Sequence, residues 1–88
     1  LKTTLQYLKN SGIQLVACTE KTDKTLYDVD LKGPTAIVLG SEEDGISGEY
    51  LKMIDIRGKI PMSGHIDSLN VSVSAAIAIY EAVRQQNL

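Results

Sequence analysis

The chain has 88 residues, of which 43% are apolar and 23% charged, and its formal net charge at pH 7 is -2. That is enough apolar material for one compact domain with a core, and the charge excludes a strongly basic nucleic-acid surface on this chain alone. The single cysteine, Cys18, excludes an internal disulfide and a multi-cysteine zinc site, which favours a reducing location inside the cell. No apolar run approaches the ~20 residues that cross a bilayer, so we expect a cytoplasmic protein without membrane or metal partners.

A helix is predicted at the start of the chain. Leu1, Leu5 and Leu8 form one apolar stripe at helical spacing, which predicts a helix over residues 1–10, and Gly12 then supplies a C-terminal stop. Because the chain begins with Leu inside this pattern, we expect it to be part of a larger protein.

Two short apolar runs predict the first strands. Residues 13–18 contain β-branched residues and are followed by a polar cluster at residues 19–24, with Cys18 expected as a small core residue in mid-strand. A turn of helix is weakly indicated at residues 25–29. Residues 35–39 are apolar on both faces, which makes them the best candidate for the centre of a parallel sheet.

The second half of the chain continues the alternation of helices and strands. A polar turn at residues 41–45 leads to a short helix that opens at Ser47 or Gly48. Residues 56–60 predict a third strand, nearer the edge because polar residues and a glycine interrupt it. This order predicts an α/β fold with an open parallel sheet and helices on both faces.

A loop at residues 60–70 joins the third strand to the last helix. Pro61 cannot extend a central strand, whereas Ser68 and Asn70 both suit a helix N-cap. The segment is therefore a strand-to-helix loop at the end of the sheet, where open α/β folds usually bind ligands.

The last helix is predicted over residues 70–86 and is apolar nearly all round, as is typical of a helix that is buried on more than one side. One side can pack on the sheet. Little of an 88-residue chain remains to cover the other, so a partner subunit is the simplest cover.

Two segments together resemble a known family. Residues 37–46 (IVLGSEEDGI) resemble the second motif of the SpoU (TrmH) family of RNA ribose methyltransferases. Residues 60–73 (IPMSGHIDSLNVSV), continuing to Gln85, are similar to its third motif. Either motif alone is modest evidence, but both in this order at this separation are very specific. The resemblance covers essentially the whole chain as the second half of a catalytic domain.

The resemblance implies an S-adenosylmethionine-dependent enzyme of the SPOUT class that methylates a ribose 2′-hydroxyl in tRNA or rRNA. It also implies a C-terminal trefoil knot and a homodimer through the C-terminal helix. Physical priors alone argue against a knot, because threaded chains are very rare.

The resemblance implies four cofactor-binding positions. The backbone of Gly40, Ile60 and Leu69 would bind the adenosyl part of S-adenosylmethionine, with Met62 lining the same pocket. Without the resemblance, Gly40 is an ordinary strand-end glycine, and the other three are typical core residues.

Three further residues match the family's catalytic positions. Glu42 matches a glutamate that shapes the site beside the cofactor, although Glu43 stands where a glycine usually follows it. Ser68 and Asn70 match the serine and asparagine that position the target nucleotide and a catalytic arginine. That arginine belongs to a first motif upstream of this chain, and neither Arg57 nor Arg84 corresponds to it by position.

Other interpretations carry less weight. His65, the only histidine, invites a general-base role, but a lone histidine in a turn is more often solvated, and the family has no catalytic histidine there. A non-catalytic RNA-binding or dimerisation module that keeps the fold is the main alternative. A generic nucleotide-binding domain is disfavoured because the chain has no G-x-G-x-x-G fingerprint.

Overall fold

The computed structural model describes residues 2–40, 46–61 and 70–88, in which helices and strands alternate. The elements are α1 Lys2–Asn10, β1 Gln14–Cys18, a 3₁₀ turn Leu26–Asp28, β2 Thr35–Val38, α2 Gly48–Leu51, β3 Ile56–Gly58 and α3 Val71–Gln86. The predicted order of elements is confirmed, and the strands are slightly shorter than predicted.

Gly12 ends α1 as predicted. Its φ of 83° lies in the left-handed region, which costs glycine little because it lacks a Cβ. In this conformation the Gly12 amide donates to Lys9 O at 3.0 Å and the Ile13 amide to Leu8 O at 3.1 Å, so the last carbonyls of the helix are paired. The turn then directs the chain into β1.

The three strands form one parallel sheet in the order β2-β1-β3. β1 pairs with β2 from Gln14–Thr35 onwards and with β3 from Val16–Ile56 onwards. The prediction that residues 35–39 form the centre of the sheet is therefore wrong for the described sheet. Both runs are short and apolar, and such runs do not distinguish a central strand from an edge strand.

Both faces of β1 are covered. Val16, Leu15 and Ala17 are all fully buried, although successive side chains of a strand point to opposite faces. On the Val16 face, the core cluster adds residues of the 3₁₀ turn, the following segment and α3, namely Leu26, Val29, Leu31 and Ala78. α1 contacts β1 and contributes Leu5 to the buried residues.

Ion pairs and a hydrogen bond connect α1 to the segment around α2. Lys2 forms an exposed ion pair with Glu49 at 2.9 Å. Lys9 donates to Met53 O at 2.9 Å and lies 3.4 Å from Asp55. The other Asp55 carboxylate oxygen, Oδ2, accepts from the buried Leu15 amide at 2.7 Å, so this side chain extends the pairing between β3 and β1.

α3 is 16 residues long and buries only part of its surface. Ala78, Glu81 and Gln85 are buried, whereas Ile79 and Tyr80 are 55% and 73% exposed. In the parts of the chain that the structure describes, no helix combines the length and apolar character needed to cross a membrane.

Candidate functional site

The carboxyl ends of the three parallel strands meet at one edge of the sheet. β2 is followed at this edge by Gly40, and β3 is followed by Ile60, both half-buried. β1 lies between them, so their strands are two spacings, or about 10 Å, apart. The structure thus brings Gly40 and Ile60 to opposite sides of the end of the central strand.

The path of the chain makes this edge a topological switch point. From β1 the chain passes to β2 on one side, and from β2 it crosses to β3 on the other side. In open α/β sheets, ligands bind in the crevice beyond the carboxyl ends of the strands at such a point. The geometry therefore favours a ligand site beyond β1, between the segments that follow β2 and β3.

Asn70 caps the amino end of α3, as predicted. Its side-chain Oδ1 accepts from the Val73 amide at 2.8 Å, and the residue is exposed. The cap uses one oxygen lone pair, so the same side chain can still contact a second group. Its role toward a target nucleotide stays a prediction.

The remaining predicted site residues belong to two segments that the structure does not describe, 41–45 and 62–69. Glu42, Met62, Ser68 and Leu69 lie outside the described residues, as does His65. Their predicted roles are untested by the structure.

The loop between β1 and the 3₁₀ turn pairs with the end of β3 and holds the segment that leads to Ile60. The Thr19 amide donates to Gly58 O at 3.0 Å, and the Leu26 amide donates to Lys59 O at 2.7 Å. Lys59 in turn donates its amide to Lys24 O at 2.9 Å. These bonds hold the segment that leads into Ile60 against the start of the 3₁₀ turn, an arrangement that no sequence motif had indicated.

Gly58 is required by this close packing. A Cβ at this position would lie 3.0 Å from Leu26 Cα and 3.2 Å from Val29 Cγ2, closer than the ~3.5–4.0 Å at which carbon atoms pack. Sequence analysis treated Gly58 only as an interruption of the strand. Its alternation with Ile56 and Ile60, two positions away on either side, was the available signal, because it placed the glycine on the same face of the predicted strand as two apolar residues.

Cys18 lies at the same edge but is not suited to covalent chemistry. It is the last residue of β1 and half-buried, so its predicted mid-strand core position is wrong. Burial raises the pKa of its thiol, which keeps the sulfur protonated and weakly nucleophilic near neutral pH. Among the described residues, no group of His, Cys, Asp or Glu side chains could hold a metal ion.

A polar network near the other end of α3 joins the buried Glu81 and Gln85 to the exposed Arg84. Arg84 donates from Nε and Nη2 to the Glu81 carboxylate at 2.7 and 3.0 Å, and Gln85 Nε2 donates to Glu81 Oε2 at 2.8 Å. The bonds from Arg84, and then that from Gln85, hold the pKa of Glu81 below its ordinary value. Sequence analysis missed this network, although the i, i+3 and i, i+4 spacings place the three side chains on one helix face.

An open apolar groove runs along α3. It has a volume of about 730 Å³ and is lined by Tyr27, Ala76, Ile77, Tyr80, Glu81 and Arg84. Val73, Ile79 and Val83 add further exposed apolar surface on the same helix. This surface agrees with the predicted excess of apolar residues on the last helix.

Comparison with known proteins identifies the family. The sequence profile of the SpoU rRNA Methylase family matches residues 1–80. The chain belongs to the SpoU rRNA methylase family. The resemblance to this family, which was inferred from residues 37–46 and 60–73, is confirmed.

A relative with a named activity agrees with this assignment. The chain is 40% identical over 86 residues, 98% of its length, to the 23S rRNA (guanosine-2′-O-)-methyltransferase RlmB of Pseudomonas aeruginosa. It spans about a third, 35%, of that relative.

Two solved methyltransferase structures align with nearly the whole chain. A crystal structure of an RNA 2′-O ribose methyltransferase aligns with 99% of this chain and 34% of that one, at a TM-score of 0.90 and 39% identity. The SpoU methyltransferase AviRb from Streptomyces viridochromogenes, in complex with the cofactor AdoMet, covers 98% of this chain and 33% of its own, at a TM-score of 0.84 and 33% identity.

Proposed function

We propose that this chain is the C-terminal part of the catalytic domain of an S-adenosylmethionine-dependent RNA 2′-O-ribose methyltransferase. The proposal is supported above all by SpoU family membership together with the position of Gly40 and Ile60 on the two sides of the switch point. RlmB, at 40% identity, is named as a 23S rRNA methyltransferase, and AviRb was solved with AdoMet. The proposed substrate is therefore a ribose 2′-hydroxyl of rRNA or tRNA.

The residues at the carboxyl edge fit the adenosyl part of this cofactor. Gly40 has no Cβ, so its backbone can approach a ligand closely, and the backbone N–H and C=O groups that follow β2 and β3 can hydrogen-bond a base or ribose. S-adenosylmethionine, when bound, supplies a methyl group on a sulfonium sulfur. In the proposal, Gly40, Ile60 and Leu69 hold the adenosyl group through their backbones, and Met62 lines the pocket.

The chain's own part in the reaction is orientation. A ribose hydroxyl is a poor nucleophile until its proton is removed, and methyl transfer requires an in-line approach. Asn70 and Ser68 would hold the target nucleotide, and Glu42 would shape the site beside them. The group that accepts the proton would belong to the family's upstream arginine motif rather than to this chain.

Cofactor binding and methyl transfer test the proposal. We expect isothermal titration of the intact protein with S-adenosylmethionine to show saturable binding, and tritium-labelled methyl groups to enter rRNA or tRNA. Gly40→Val should weaken binding by at least ~10-fold, because a branched side chain would occupy the space in which the ligand contacts the Gly40 backbone. Gly48→Val, at a position in α2 where an added Cβ meets nothing within 4 Å, is the matched control and should leave binding unchanged. Absence of both S-adenosylmethionine binding and methyl transfer to any RNA would favour the non-catalytic module instead.

We also propose that a second copy of the chain covers the groove on α3. Monomeric proteins rarely leave large apolar patches exposed, and Tyr80, which lines this groove, is 73% exposed. Tyr80→Asp should raise the dimer dissociation constant by at least ~10-fold in analytical ultracentrifugation, because an interface charge would be desolvated. Tyr7→Asp changes an equally exposed tyrosine on α1 and should leave the dimer intact. A dimer unaffected by Tyr80→Asp would refute this interface.

Family membership further supports a C-terminal trefoil knot and a cytoplasmic location, which both remain proposals. The knot can be tested by pulling the folded chain from its two ends. Each unfolded residue contributes ~3.5 Å of extended length, so a tightened knot should leave the released length short of that expected for 88 residues. Release of the full length would exclude the knot.

A further inference from the structure

Two glutamine side chains tie the end of α3 to the segment that precedes β2. Gln85 Oε1 accepts from the Leu31 amide at 2.8 Å, and Gln85 Nε2 donates to Val29 O at 3.0 Å. Gln86 Nε2 donates to Leu31 O at 3.1 Å. We call these three bonds the glutamine clasp.

The glutamine clasp is placed where its loss cannot be compensated easily. Leu31 is fully buried, Val29 is 2% exposed and Gln85 is 7% exposed, so water cannot readily replace the side-chain amide. A buried backbone amide or carbonyl without a partner is costly, and the structure would have to shift to satisfy it. Glu81 accepts the second Nε2 proton of Gln85 and is itself held by Arg84, which fixes the orientation of the Gln85 amide.

The glutamine clasp is also the polar connection that holds α3 at one position along its own axis relative to the sheet. Over residues 2–40, 46–61 and 70–88, the hydrogen bonds between α3 and other elements all come from Gln85 and Gln86. The helix otherwise packs through apolar contacts, such as those of Ala78 in the core cluster and of Ala82, which packs against that cluster. Apolar contacts are non-directional and do not hold a helix at one axial position as hydrogen bonds do.

We infer that Gln85 is a positioning residue for the carboxyl-edge site, acting through α3. The helix is continuous from Val71 to Gln86, so a shift at Gln85 is transmitted to the cap at Asn70, about 22 Å away. Asn70 stands at the start of the helix, where the proposed function places the nucleotide-holding residue, and the inference rests on that function. A misplacement of ~1 Å far from the chemistry can cost up to ~100-fold in rate.

The test uses the intact protein with Gln85→Met, which keeps the side-chain length but removes its hydrogen bonds. Hydrogen exchange at the Leu31 amide should become faster. At a temperature where circular dichroism shows the variant folded, kcat at saturating RNA and S-adenosylmethionine should fall about 10-fold, while KM for RNA stays within about twofold. Gln6→Met, an exposed glutamine on α1 that bonds only Asn10 in the described structure, is the control and should leave all three values unchanged.

Gln86→Met provides a milder variant if Gln85→Met does not fold. It removes one bond from an exposed side chain, and kcat should fall about two- to threefold. Faster exchange at Leu31 with kcat unchanged in the folded variant would overturn the positioning role and leave only a stabilising one. Failure of the wild-type protein to bind S-adenosylmethionine would overturn the proposed function, and the positioning role with it.

Discussion

Replacement of Gly58 by alanine would show how tightly the 3₁₀ turn is held against β3. The added methyl group would lie 3.0 Å from Leu26 Cα and 3.2 Å from Leu26 Cδ1, at least ~0.3–0.5 Å inside normal carbon packing. Leu26 cannot retreat freely, because its amide donates to Lys59 O at 2.7 Å. Overpacking of this kind typically costs about 1–3 kcal/mol.

Thermal unfolding followed by circular dichroism would measure this cost. At roughly 4–8 °C per kcal/mol for a domain of this size, a loss of about 2 kcal/mol lowers Tm by roughly 8–16 °C. Gly48→Ala is the matched control, since an added Cβ there meets nothing within 4 Å, and its Tm should stay equal or rise slightly. If Gly58→Ala unfolded within ~2 °C of wild type, the close contact between β3 and the 3₁₀ turn would be wrong.

Three further predictions concern polar groups. Asn70→Ala removes the α3 cap and should lower the free energy of unfolding in urea by about 1 kcal/mol, and an unchanged midpoint would contradict the cap. Because the bonds from Arg84 lower the pKa of Glu81, their stabilisation is present at neutral pH and is lost as the pH falls through that lowered pKa. The loss of unfolding free energy caused by Glu81→Gln should therefore become smaller between about pH 6 and pH 3. A loss that did not change with pH in urea titrations would count against the ion pair between Glu81 and Arg84. Asp55→Ala leaves the buried Leu15 amide without its acceptor and should cost about 1–3 kcal/mol in the same assay, with faster exchange at that amide; unaltered exchange would exclude the bond.

The sequence was informative where local chemistry decides the structure. Gly12 ended α1 because only glycine adopts its φ of 83° at little cost, and Asn70 capped α3 because its side chain pairs an otherwise orphan amide. Alternating helical and strand patterns predicted the parallel sheet. Parallel strands bring their carboxyl ends to one edge, so the proximity of Gly40 and Ile60 to that edge followed from the fold class.

Non-local packing was harder to anticipate. Which apolar run occupies the centre of the sheet depends on which strands pair with it, and pairing partners leave no local signal in the sequence. The sequence analysis therefore placed residues 35–39 at the centre, whereas β1 occupies it in the structure. Glu81 and Gln85 resemble ordinary polar residues of a helix end. Their burial becomes evident only once the segment at Val29 and Leu31 lies against them.

The parallel pairing has a consequence for how this chain emerges from the ribosome. Gln14 meets Thr35, 21 positions later, and Leu15 meets Asp55, 40 positions later. β1, the most buried strand, is therefore synthesised well before either of its neighbours, and both of its edges stay open in the nascent chain. Unpaired edges of this kind invite association with other chains, so folding yield during translation should depend on how quickly synthesis reaches β3.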